Sequence, residues 1–174
     1  MEFFILGLIA KMGLTSLYAF RQEAELEPGG IRSALETLEK RHLITRAEPG
    51  FRNRREMKLT PEGNEFFNRF WTQCLRPHAD AESVLRSALV AWFMESPGAA
   101  AAYLESTAET RRGTADEARM RAKYMQGSQT DPLSTYIWMR ILTEAHRRRA
   151  EAEAFLSFSQ FLMDQSTPDV HGQS

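Results

Sequence analysis

The fold turns on PGGIRSALETLEKRHLI (residues 28–44), an arginine-rich turn, and LTPEG (residues 59–63). Pro28 suits a first helical turn, where a missing N–H costs nothing. Ile31, Leu35 and Leu38 recur at i, i+4 and i+7 with Ala34 beside them, one apolar stripe of helical period. At about 100° per residue, Gly29, Ser33, Glu36 and Lys40 lie on the opposite face, flanked by Arg32 and Thr37. The spacing predicts a helix over 28–42. Leu43 to Ala47 is then a short β-prone run, punctuated by Pro49-Gly50, and Arg54 to Leu59 returns with alternating faces. Between them GFRNRR (residues 50–55) holds three arginines in six positions.

Helix, hairpin and second helix, in that order, make the reading half of a winged helix. A helix with small residues near its N-terminus and basic residues on its rim fits a major groove about 12 Å wide. A basic hairpin tip can follow phosphates or enter a minor groove. The expected contacts are therefore Gly29 and Gly30, whose N–H groups meet phosphate; Arg32 and Ser33, which reach base edges; Lys40; and Arg52, Asn53, Arg54 and Arg55 at the wing.

The same stretch resembles the PadR family of bacterial transcriptional regulators. The resemblance rests on Gly30-Ile31, Ala34-Leu35, Leu38-Glu39, Leu43-Ile44, the basic run Arg52 to Arg55, and Leu59-Thr60-Pro61-Glu62-Gly63. Upstream, Ile5 to Ala10 resembles the family's first helix. Thr15 to Phe20 resembles its second, with Leu17-Tyr18 where Gly-Tyr is usual. It covers about residues 3–75, and it adds Thr15 and Tyr18 to the DNA-binding set. Two departures stand out. Arg32-Ser33 occupies the place of a frequent Tyr-Pro, and Glu36-Thr37 follows Ala-Leu where basic residues are frequent. A carboxylate on the groove face is repelled by phosphate but can accept from cytosine N4. Both departures argue against the family's usual operator more than against DNA binding.

Charge supports a localised interface. Residues 28–60 hold eight basic side chains (Arg32, Lys40, Arg41, Arg46, Arg52, Arg54, Arg55, Lys58) against four carboxylates (Glu36, Glu39, Glu48, Glu56), a local charge of +4 in a chain of net −1. A positive module on a mildly acidic body fits site-limited DNA binding.

The remaining sequence reads as helices over 3–12, 15–25, from 61, 80–95 and 97–112. A break follows at Gly113-Thr114, then a polar helix at 115–126, a loop from Gly127 to Asp131, and a helix from Pro132 to about Asp164. The fold class is thus mainly α with a small β-hairpin. A winged helix-turn-helix at 1–75 precedes an α-helical dimerisation and effector domain at 76–165 and a polar, disordered tail at 166–174. The last helix is charged in its middle and apolar at both ends, too long for a small monomer to cover. Two such helices crossing in a homodimer would bury both ends. Trp71, Trp92 and Trp138 all fall on helices of this half. Core packing is the usual role for such residues, but they can also form a dimer or effector pocket for a small aromatic molecule.

Catalytic chemistry is not written in the sequence. The four histidines, His42, His78, His146 and His171, lack metal-ligand spacing, and Gly29-Gly30 lacks the Lys-Ser/Thr of a phosphate loop. Glu23, Glu25 and Glu27 alternate and so do not share a helical face. Arg147-Arg148-Arg149 reads as a solvated helix surface, though such a run can also bind an anion or a partner. No enzyme activity, metal or cofactor is expected. Cys74, the only cysteine, cannot form an intramolecular disulfide and reads as a small buried hydrophobe. The apolar run Phe3 to Ala10 is too short to span a bilayer and lacks signal-peptide flanks. The expectation is a cytoplasmic protein with no membrane partner: a dimeric, effector-responsive repressor of a double-stranded DNA operator. Its rivals are a protein-interaction module on a winged-helix scaffold without operator binding, and a small-molecule sensor.

Overall fold

The computed structural model describes residues 1–47, 56–127 and 131–166. It is mainly helical with one two-stranded antiparallel sheet. The order is α1 (Glu2–Met12), α2 (Leu17–Glu23), α3 (Pro28–Lys40), β1 (Ile44–Arg46), β2 (Met57–Leu59), α4 (Pro61–Phe70), a 3₁₀ turn (Trp71–Cys74), α5 (Ala81–Met94), α6 (Pro97–Met125) and α7 (Pro132–Ser166). No single described helix is long and apolar enough to cross a membrane.

The chain forms two compact units. The first joins Met1–Arg76 to Glu82–Ser96; the second joins Pro77–Ala81 to the described residues from Pro97 onward. The first unit therefore reaches past residue 75 and takes in α5. One reason is Gly7 on α1. A Cβ there would stand 3.0 Å from the Phe93 ring and 3.3 Å from the Phe67 ring, so its absence lets both rings close on α1. Another is Ser87 on α5, whose Oγ donates to the Cys74 carbonyl at 2.7 Å.

In the first unit, Ile5, Leu6, Phe20, Leu35, Leu38 and Phe67 are fully buried. The apolar stripe of α3 faces this core, and α1 packs against α3, α4 and β2. β1 and β2 pair with Ile44 opposite Leu59 and Arg46 opposite Met57. The Met57 N–H reaches beyond the pair to the Thr15 carbonyl at 2.8 Å, tying the hairpin to the start of α2. That bond takes up the Thr15 carbonyl ahead of α2. Ser16 then caps α2, accepting from the Ala19 N–H at 3.1 Å, so α2 begins at Leu17 rather than at 15.

α3 ends at Lys40, two residues short of the expected end. His42 adopts a left-handed φ of 57°, and the Leu43 N–H bonds back to the Leu38 carbonyl at 2.9 Å. This six-to-one bond is how a helix closes on a left-handed residue. The Thr60 hydroxyl then donates to the His42 carbonyl at 2.7 Å and accepts from the Gly63 N–H at 2.9 Å. The LTPEG stretch is thus a clasp fastening the start of α4 over the α3–β1 corner. Beyond α4 the chain tightens into the 3₁₀ turn, which places Trp71 on a turn rather than on a long helix.

The second unit corrects two expectations. Gly113-Thr114 does not break the chain, because α6 runs unbroken for 29 residues. Glycine in a helix interior costs about 1 kcal/mol relative to alanine, and packing offsets it. Ala101, Ala108, Ala115 and Ala122 recur every seven residues and are 1% exposed or less. They form a seam of small side chains that faces Ala145, Ala152, Phe155 and Ser159 of α7, all equally buried. Leu104 and Arg111 fill the intervening seam positions. α6 and α7 run antiparallel, as three contacts show. The Ser159 hydroxyl donates to Glu105 at 2.6 Å, Arg111 pairs with Glu151 at 2.7 Å, and Arg148 donates to Thr114 at 3.3 Å. The second correction concerns α7. At 35 residues it is about 52 Å long, yet its own chain covers one face of it. Asp131 starts it by accepting from the Ser134 and Leu133 N–H groups at 3.1 and 2.8 Å, and those bonds, Ser134's foremost, hold its carboxyl below the usual range.

Candidate nucleic-acid interface

The clearest candidate surface lies on α3. Ile31, Ala34, Leu35 and Leu38 are buried, whereas Gly29, Gly30, Arg32, Ser33, Glu36 and Lys40 are all exposed. One helix face is fixed and the other is presented. At the N-terminus of α3, Glu27 makes no side-chain capping hydrogen bond. A Cβ at Gly29 would meet nothing within 4 Å. The first N–H groups of the helix are therefore approachable from solvent, with the positive end of the helix dipole behind them.

Other expected contacts are placed less uniformly. Tyr18 is exposed on α2, whereas Thr15 is half-buried with its carbonyl committed to Met57. Arg52, Asn53, Arg54 and Arg55 lie outside the described residues. Lys58, pointing outward from β2, and Arg21 on α2 are exposed cations near the same elements. Lys58 was legible in the strand alternation, and Arg21 had no signal beyond its charge.

The electrostatics are weaker than the count of basic residues suggests. Arg41 pairs with Glu2 at 2.7 Å and lies 4.5 Å over the Phe66 ring. Arg46 pairs with Glu39 at 2.7 Å. Among the described residues, Arg21, Arg32, Lys40 and Lys58 make no ion pair, and these cations of α2, α3 and β2 are left for an external anion.

No protein family, curated protein or solved structure matches this chain.

The three tryptophans do not form one group within either unit. Trp71 is buried and Trp92 is exposed in the first unit, while Trp138 is half-buried on α7 in the second. Arg147, Arg148 and Arg149 engage carboxylates of their own helix, Glu144 and Glu153. Burial pushes the Cys74 thiol above its ordinary value, the opposite of what a reactive thiolate needs. Among the described residues no group of three or more His, Cys, Asp or Glu side chains is placed to hold a metal ion.

Proposed function

We propose that this chain is a sequence-specific DNA-binding transcriptional regulator, a dimeric repressor of winged-helix type that reads a double-stranded operator. The observation that carries this reading is the two-sided α3, with its apolar stripe locked in the core. Its outer face offers Gly29, Gly30, Arg32, Ser33 and Lys40 to a groove-sized partner. The hairpin beside it supports the reading, because the sequence between β1 and β2 carries Arg52, Arg54 and Arg55. The resemblance to PadR regulators over residues 3–75 points the same way.

A mobility-shift titration on DNA flanking the chain's own gene, repeated at several salt concentrations, tests it. Log affinity should fall linearly with log salt, by about 0.9 for each phosphate neutralised. Equal affinity for the operator and for scrambled DNA would leave only a nonspecific binder. The exposed Glu36 and the internal pairing of Arg41 and Arg46 favour a second reading, a protein-interaction module on the same scaffold. That reading predicts no shift at any salt.

Arg32→Ala separates base readout from backbone contact. If Arg32 meets a base edge, the variant should lose about 1–3 kcal/mol on the operator and relax preference at one position per half-site. Equal losses on specific and nonspecific DNA would make Arg32 a phosphate contact instead.

For the dimer, α7 supplies the surface. Phe158 and Phe161, one turn apart on the same face near its end, are each more than 40% exposed, and large exposed apolar groups side by side mark an interface. Phe158→Ser/Phe161→Ser should give a folded monomer in light scattering. Its operator affinity should fall by orders of magnitude, because two half-sites about 34 Å apart are no longer linked. A double variant that stays dimeric would move the interface elsewhere.

A further inference from the structure

Within the second unit an open groove of ≈ 1160 Å³ runs along one side of the α6–α7 pair. Thr114, Glu117, Ala118 and Arg121 border it from α6; Ile137, Arg140, Ile141 and Glu144 are among its α7 wall. The antiparallel alignment set by Arg111–Glu151 and Thr114–Arg148 brings Arg121 and Arg140 to the same level on opposite walls. Both are exposed, so solvent screens their mutual repulsion, and an anion between them would be attracted by both.

The other charges of the groove do not supply that anion. Arg147 and Arg148 also line it, and both donate to Glu144, at 2.8 and 2.7 Å. Those bonds, Arg147's foremost, hold the Glu144 carboxyl below its usual range. Glu117 sits one turn before Arg121, yet among the described residues neither Arg121 nor Arg140 makes an ion pair. Residues 128–130, between the two helices, are Ser-Gln-Thr and bring no carboxylate. Four arginines against two glutamates leave the lining at +2. Beside the cations the walls are apolar, with Ala118 and Ile141 half-buried and Ile137 38% exposed. The chemistry is that of a cationic clamp beside an apolar strip, in a groove whose lining is otherwise polar and charged.

We propose that this groove binds an amphipathic organic anion, its carboxylate or phosphate held between Arg121 and Arg140 and its apolar body lying along Ala118, Ile137 and Ile141. Guanidinium groups take such anions in paired, charge-assisted hydrogen bonds. The site does not depend on the DNA-binding reading and is tested without DNA.

The probe is sodium decanoate below its micelle concentration, titrated calorimetrically into the full chain. Saturable binding of one decanoate per chain is expected, with 1-decanol, its uncharged counterpart, bound at least about tenfold more weakly. Arg121→Gln/Arg140→Gln should weaken decanoate at least tenfold while leaving the helical circular dichroism intact. Arg149→Gln, whose partner is Glu153, should leave decanoate binding unchanged. Absence of saturable binding, decanol bound as well as decanoate, or a folded double variant of undiminished affinity would each overturn the proposal. So would binding confined to phosphatidylglycerol vesicles, since that would assign the cations to a lipid surface. The decanol comparison uses the unaltered chain and decides the matter even if the double variant misfolds.

Discussion

Gly63→Ala is expected to destabilise the first unit by about 3 kcal/mol or more, a large share of a typical domain's 5–15 kcal/mol. A Cβ at this position would overlap the Leu43 carbonyl oxygen and stand 2.8 Å from the carbonyl carbon. That obstacle is backbone and cannot turn aside. The same carbonyl accepts the Thr60 N–H at 3.1 Å, and Thr60 in turn clasps His42 and Gly63. Making room means lifting α4 from the α3–β1 corner and breaking the clasp. Gly113→Ala is the contrasting case. A Cβ there meets nothing within 4 Å, so the helix should gain about 0.5–1 kcal/mol. Urea unfolding of both variants compares them directly. A Gly63→Ala protein as stable as the parent would show that the clasp is not as tight as its geometry implies.

The second large effect is expected at Arg111. Its side chain is 6% exposed, pairs with Glu151 at 2.7 Å, and also donates to the Ala79 carbonyl. Arg111→Met keeps the bulk and removes the charge. It leaves the mostly buried Glu151 carboxylate with Arg147 at 4.0 Å as its nearest described cation. Breaking one side of a buried pair costs about 3–5 kcal/mol, whereas replacing both partners by apolar groups is often neutral. Arg111→Met should therefore lower the stability of the second unit by about 3 kcal/mol, and Arg111→Met/Glu151→Leu should recover most of it. Denaturation followed by Trp138 fluorescence, with Trp71 and Trp92 replaced by Phe, reads this unit alone. A single variant within 0.5 kcal/mol of the parent, about the size of an ordinary surface change, would argue that the pair is already well hydrated.

What the sequence disclosed follows from which forces act locally. The α3 stripe was legible because Ile31, Leu35 and Leu38 face one core, and periodicity records a single burial direction. The hairpin was legible in the alternation around Met57. Element ends were not, because distant partners set them: Met57 takes up the Thr15 carbonyl ahead of α2, and α3 closes through the left-handed His42. Gly113 misled for the converse reason. Its local cost is real, but the alanine seam that outweighs it is spread over about six turns and needs α7 as its other half. On the outer face of α3, Gly29, Gly30, Arg32, Ser33 and Lys40 were legible by the same periodicity. The Arg121–Arg140 clamp was not, since only the alignment of two separate helices brings those residues level.

That seam carries a consequence for how the helical hairpin is kept in place. A row of alanines at seven-residue intervals is nearly the same after a slide of one heptad, so the small side chains by themselves prescribe closeness and not alignment. The polar contacts differ from step to step: Glu105 has its serine, Arg111 its carboxylate and Thr114 its arginine. They act as keys in a slotted shaft. With all three removed the alanines would still set the close spacing, and only the larger seam side chains, Leu104 and Phe155, would be left to hold the frame.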